Sequence, residues 1–272
     1  QPPTRSRWPH TNPIPTCVLA VVKCFPHLPI RLKATDKALS NLLRRKLITA
    51  RYRQTPAALQ RILPVIMLSS TQLDTMFQLQ AGMNFRVDPN WTEAKYPYLR
   101  AVVIEAAEAI EHHGWNRWKQ QHCDLSQLQM ELVDIWHFLL SEILLRNGGD
   151  EGKARTYLET TYARQSAANA LDFDGQEYAF GEFDLLELLQ TFIGTSAAGR
   201  IELGLFAAIM RGCTLDWHEL YKQYVSKNVL NFFRQDHGYQ DGTYRKLWNG
   251  REDNEVLVEV MATLDAASPT FK

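Results

Sequence analysis

Four carboxylates stand in two close pairs, Glu105 with Glu108 and Glu131 with Asp134, among alanines, isoleucines and tryptophans that read as the inner side of a helix hairpin. An unpaired charge is costly to bury. Residues three apart lie at neighbouring points of one helix face, so each pair can converge on one object. At 100° per residue Leu128, Glu131, Ile135, Phe138, Glu142 and Leu145 form one stripe with Asp134 on its flank, which puts a carboxylate in a core-facing slot. Carboxylates gathered indoors repel one another unless a divalent cation lies between them. Hard oxygen ligands with no His or Cys in the set point to Mg2+, which shares its shell with water and substrate phosphates. The plainer alternative makes these residues the solvent-facing borders of amphipathic helices. Two pairs on consecutive helices, one of them in an apolar stripe, favour the metal.

Two further constellations surround that pair of helices. Leu73, Phe77, Gln80 and Asn84 fall at i, i+4, i+7 and i+11, so two amides continue an apolar stripe. A buried amide needs partners, either nearby backbone or a ligand edge that alternates donors and acceptors, such as a pyrimidine. Lys227, Asn231 and Arg234 share one side of a later helix, opposite Val225, Val229 and Phe232, which read as its core side. Such a polar stripe is ordinarily the wet one, but Arg234 leads into Tyr239, Arg245 and Lys246 in a loop punctuated by Gly238, Gly242 and Gly250. Cations and a tyrosine hydroxyl near a glycine-rich turn suit phosphate oxygens, although the loop is no Walker A sequence. Trp115 and Trp118 read first as packing anchors and second as the wall around a base. His137, one turn beyond Asp134, is placed to touch a ligand or to sit satisfied in the interior. His112, His113, His122, His218 and His237 form no recognisable ligand set.

The elements that must position these groups are all helical. Helices are expected over about 70–85 with Ser70 or Thr71 as N-cap, 92–114 with an interruption near Pro97, 124–146, 183–194, 196–211, 215–235 and 254–265. Shorter ones fit 36–49 and 56–63. No strand alternation of any length appears, so the fold class is all-α, a helical bundle. Residues 147–182, opening on "NGGDEG", read as a mobile insertion, either a loop or a helical excursion.

Composition divides the 272 residues unevenly. Residues 1–66 carry 12 Lys and Arg against the single acid Asp36, and nine of the 12 prolines; the remainder holds 18 basic and 29 acidic residues. The first stretch reads as a basic, Pro-rich extension, disordered, outside the native enzyme with a start at Met67, or a transit leader. Residues 67–272 form the catalytic domain. Its acidity excludes general nucleic-acid binding. No apolar run reaches the length of a membrane helix. The four scattered cysteines fit neither a zinc site nor a disulfide scaffold and read as reduced thiols in a cytoplasmic protein, unless the extension directs it to an organelle.

The stretches "LQAGMNFRVDPNW", "EAAEAIEHHGWNRWK", "ELVDIWHF" and "KNVLNFFRQDHGYQDGTYRKLWNGREDN" resemble, in order, the motifs of the dimeric all-α dUTPases of trypanosomatids, some bacteria and phages, within the wider all-α nucleoside triphosphate pyrophosphatase group. The likeness spans roughly residues 70–260. It implies that Glu105, Glu108, Glu131 and Asp134 hold Mg2+, with a glutamate of the first pair orienting or deprotonating the attacking water. It implies that Gln80, Asn84, His137 and Asn231 lie near uracil and sugar, with Trp115, Trp118, Lys119 and Phe138 around them. Lys227, Arg234, Tyr239 and Lys246 would face the phosphates. The implied partners are dUTP and dUDP, and a second copy of the chain in a homodimer, with no nucleic acid or membrane. Arg117 departs from the family, whose trypanosomatid members carry an aromatic there. Alternative readings are a related pyrophosphatase acting on dCTP or damaged nucleotides, and a non-enzymatic helical interaction module.

Overall fold

Side-chain caps open five of the described helices. The computed structural model describes residues 68–116 and 118–267, so the expectations for residues 1–66, and the departure at Arg117, lie outside the described residues. Helix α1 (Ser70–Val87) starts one residue earlier than its sequence suggests, because Ser69 is the N-cap and forms a capping box with Gln72. Helix α2 (Trp91–Ala94) is cut from α3 (Tyr98–His113) by Lys95, in the left-handed region at φ 52°, and by Pro97. Gly114 at φ 82° stops α3. Asp124, accepting from the Gln127 N–H, opens α4 (Leu125–Arg146). Asp150, Asp184 and Asp216 cap α5 (Glu151–Ala168), α6 (Leu185–Ala197) and α8 (Trp217–Asp236) in the same way, with α7 (Leu203–Gly212) between the last two. The last described helix is α9 (Asp253–Ala267).

The all-α expectation holds, with a correction in two places. Strands β1 (Ala170–Phe173) and β2 (Gln176–Ala179) pair antiparallel with Ala170 opposite Ala179, and β3 (Leu247–Trp248) pairs with β4 (Arg251–Glu252). Both turns are two residues long with positive φ throughout, Asp174-Gly175 at 53° and 75° and Asn249-Gly250 at 53° and 85°. The 147–182 stretch, expected as a mobile insertion, therefore holds α5 and a hairpin. Ala154, Leu158 and Tyr162 of α5 are in the core.

Helix α4 is the axis of the bundle. Leu128, Leu132, Val133, Ile135, Trp136, Leu139, Leu140, Ile143 and Leu144 are fully buried, so apolar atoms surround it on nearly every side. Trp136 stacks on Phe206 of α7 at 5.4 Å and meets the edge of Trp217 of α8 at 5.4 Å. At about 1.5–3 kcal/mol for each buried large aliphatic side chain, this core is what holds polar groups at fixed positions along α4. No described helix is long and apolar enough to cross a membrane.

Candidate active site

Helix α3 lies along α4 in the opposite sense, and small side chains let the two come close: Ala106 and Ala109 are fully buried at the contact. One oxygen from each of Glu105, Glu131 and Asp134 falls within 4.8 Å of the others. Glu131 is 6% exposed, while Glu105 and Asp134 are half-buried. Burial first, then the nearby charge of Asp134, raises the pKa values of both glutamates well above the carboxylate range, and the two carboxyls share a hydrogen bond. This donor set fits a hard divalent cation: three oxygens, no sulfur, and mutual repulsion that added positive charge would relieve.

Glu108 stands apart from these three. It is not among the three clustered residues and is exposed, although it stays near enough to Glu105 to raise its pKa. A three-residue step rotates a helix position by about 60°, and here that rotation carries Glu108 away from the buried arc of Val102, Ala106 and Ala109.

The polar stripe of α8 is inside, which corrects the expected core side of this helix. Lys227 is 1% exposed and Arg234 9%, whereas Val225, Val229 and Phe232, the expected core side, are half-buried. Lys227 Nζ donates to Asp134 Oδ2 at 2.7 Å and to Asn254 Oδ1 at 2.9 Å. The Arg234 fork donates from Nε and Nη2 to the two oxygens of Asp253 at 2.9 and 2.7 Å, from Nη2 to Asn254 at 3.0 Å and from Nη1 to Asn231 at 3.2 Å. Burial opposes both charges of the Arg234–Asp253 pair, and their hydrogen bonds outweigh it, so the arginine pKa is raised and the aspartate's lowered. Tyr244 O–H adds a 2.7 Å bond to Asp253. The start of α9 thus ties the end of α8 to the acidic cluster.

Two turns further along α4 the amides of α1 are indeed buried. Gln80 Nε2 donates to Asn84 Oδ1 at 3.1 Å and to Ser141 Oγ at 2.9 Å, while Gln80 Oε1 accepts from Tyr224 O–H at 3.0 Å. Ser141 Oγ also lies 3.1 Å from Asn84 Oδ1. Asn228 Nδ2 reaches the Tyr224 hydroxyl at 3.4 Å, and the Tyr224 ring lies against His137 at 4.2 Å. His137 Nδ1 is 2.9 Å from the Val133 carbonyl, so Nδ1 carries the proton and Nε2 is an acceptor. Burial lowers its pKa to about 4, which keeps the ring neutral near pH 7. Three buried polar atoms of this group have no partner: Asn84 Nδ2, His137 Nε2 and Asn228 Oδ1. Unpaired buried polar atoms are uncommon, and one donor with two acceptors in a single connected group suits a polar ligand.

The remaining candidates lie further out. Trp115 and Trp118 are 40% and 82% exposed and meet edge to face at 5.9 Å, so they do not anchor the core. Lys119 is exposed and Phe138 half-buried against the core. Tyr239 is half-exposed with the Arg234 guanidinium 5.9 Å over its ring, and Lys246 pairs with Glu252 at 3.2 Å. Sequence reasoning missed Ser141, Tyr224, Asn228, Asp253 and Asn254. Tyr224 and Asn228 carry a signal, a polar pair at i and i+4 on the side of α8 that holds Lys227; Asp253 has only its place after an Asn-Gly turn.

No curated protein matches the sequence. A family model described as dUTPase matches residues 72–239, over half of the chain, and takes in the acidic cluster, the amide group and the α8 stripe. That match covers over half of the chain, and the chain belongs to the dUTPase family, as an all-α dUTP diphosphatase.

Proposed function

We propose that this enzyme hydrolyses dUTP, and also dUDP, to dUMP in a Mg2+-dependent reaction, drawing down dUTP and supplying dUMP. The observation that carries the metal dependence is the convergence of Glu105, Glu131 and Asp134 oxygens within 4.8 Å of one another, with Glu131 buried and the other two half-buried. Bound there, Mg2+ supplies neutralising charge for the phosphates and a polarised water. Water adds across the anhydride between the α and β phosphates, and pyrophosphate leaves from dUTP or phosphate from dUDP. Of the two α3 glutamates, Glu105 is the one within the cluster, and its raised pKa suits an acceptor for the proton of the water. Lys227 has two of its three N–H groups on Asp134 and Asn254, and the third is left for a phosphate oxygen. Arg234, with its charge committed to Asp253, braces the loop that carries Tyr239 and Lys246.

Uracil presents an acceptor, O4, beside a donor, N3–H. The amide N–H of Asn84 and an acceptor from His137 or Asn228 match that order, while cytosine reverses it and would leave both unpaired. A homodimer is the assembly we carry over from the resemblance, and the scattered spacing of the four cysteines is what supports a reducing, cytoplasmic setting. The test is release of pyrophosphate from dUTP, dCTP, dTTP and UTP, and of phosphate from dUDP, each with and without Mg2+. Turnover confined to the deoxyuridine nucleotides and to Mg2+ is expected. Equal rates on dCTP, or full rates after chelation, would defeat the reading.

A further inference from the structure

Glu131 has a second neighbour that takes no part in the reaction described above. On α3, His112 lies seven residues after Glu105, which returns it to the same flank, so the Glu131 carboxylate of α4 sits between a carboxyl and an imidazole. His112 Nε2 is 3.4 Å from Glu131 Oε1, with the imidazole 33% exposed and the carboxylate 8%. At that length it is a loose contact and not a full hydrogen bond. Glu105, on the other side, offers Glu131 only a second carboxyl. His112 itself is well fixed: its carbonyl accepts the Asp124 N–H at 2.8 Å, and the chain turns away at Gly114, whose φ of 82° suits glycine.

We infer that His112 is a positioning residue for the metal site, its Nε2–H holding one oxygen of Glu131 so that the carboxylate stays in the rotamer that gathers it with Glu105 and Asp134. His112 is not one of the three residues whose ligand atoms lie within 4.8 Å of one another, so it acts through Glu131 and not as a ligand to the same ion. Partners that orient a metal's ligands set affinity as well as geometry, because a carboxylate free to rotate must be ordered again each time the ion binds. The inference rests on the proposed role of Glu131 as a ligand.

The test is a titration of the full chain with Mn2+, a stand-in for Mg2+ whose free ion is read by electron paramagnetic resonance, on the unaltered protein and on His112→Ala, His112→Gln and Glu131→Gln. Loss of the imidazole should weaken Mn2+ binding about tenfold, the low end for partners of this kind. Glutamine, which keeps a donor at similar reach, should restore it to within about twofold of the unaltered protein. His112→Ala binding Mn2+ as tightly as the parent would overturn the inference, and so would His112→Gln binding as weakly as His112→Ala. If Glu131→Gln itself leaves Mn2+ binding unchanged, it is the metal site that fails, a result distinct from either. Melting temperatures without metal separate a folding defect from a binding one: a positioning role leaves them near the parent value while the Mn2+ affinity falls.

Discussion

Lys227, at 1% exposure, donates to Asp134 Oδ2 across 2.7 Å, so a buried cation on α8 is held by one of the three carboxylates proposed to bind the metal. Removing one member of a buried pair leaves the other uncompensated. Lys227→Met should cost about 2–3 kcal/mol, below the usual figure for a fully buried pair because Asp134 keeps some access to water. The loss should be smaller with Mg2+ present, since the ion compensates Asp134 in place of the lysine. Denaturant melts with Mg2+ and with chelator measure the difference. A loss independent of Mg2+ would detach Asp134 from the metal site.

Asn84 accepts from Gln80 and Ser141 and keeps its own Nδ2 unpaired. Asn84→Ala should lower kcat/KM for dUTP by about tenfold or more, the value of one buried hydrogen bond of roughly 1.4 kcal/mol. The rate on dCTP should change less, so the ratio between the two nucleotides narrows. Steady-state kinetics on both substrates decide it. A uniform fall in both would assign Asn84 to folding alone.

Burial and the Asp134 charge raise the pKa values of Glu105 and Glu131 above those of the unfolded chain, so the folded, metal-free protein binds more protons than the unfolded one at mildly acidic to neutral pH. Their contribution to stability is complete below the ordinary glutamate pKa near 4.5 and is lost as pH rises through the raised values. The chelated protein should therefore melt at progressively lower temperature from about pH 5 to pH 8, and Mg2+ should flatten the slope by holding both groups ionised. His137 acts on the acid side with opposite sign. Its pKa, lowered by burial to about 4, gives stability above the free histidine value that is lost as pH falls through the folded one. Melting curves across pH with and without Mg2+ test both limbs, and a Mg2+-independent slope would separate the glutamates from the metal.

How much was legible in the sequence depends on how local each cause is. Helix α4 was legible because an aspartate cap and a long apolar period are both written within 22 residues. The two hairpins had their signals, Asp174-Gly175 and Asn249-Gly250, but strands of four and two residues are too short to show alternation. The stripe brings Glu105, Glu131 and Asp134 together, while Glu108 is exposed, because a rotation of about 60° decides whether a carboxylate faces a neighbour or solvent. Lys227 and Arg234 are legible as a polar stripe leading to a loop suited to phosphate, but their burial is not, because what buries them, Asp134 on α4 and Asp253 at the start of α9, is distant in sequence. No spacing rule reports a partner 93 residues away.

Asp253 is fully buried and receives the Arg234 fork and the Tyr244 hydroxyl, while the adjacent Asn254 bridges Lys227 and Arg234. An asparagine at 253 keeps one acceptor but turns an N–H2 toward the guanidinium and leaves its charge uncompensated. Asp253→Asn should therefore cost about 3 kcal/mol or more, whereas Tyr244→Phe, which removes one neutral donor, should cost about 1 kcal/mol. Arg234→Met removes the other member of the pair, so a double-mutant cycle should show the combined loss well short of the sum, by about 1–3 kcal/mol. Asp253→Asn should also depress dUTP turnover, because displacing the start of α9 frees Asn254 from Lys227 and lets the lysine leave Asp134. Additive losses, or an Asp253→Asn enzyme destabilised but fully active at a temperature where it is folded, would show that this end of α9 braces the fold without reaching the acidic cluster.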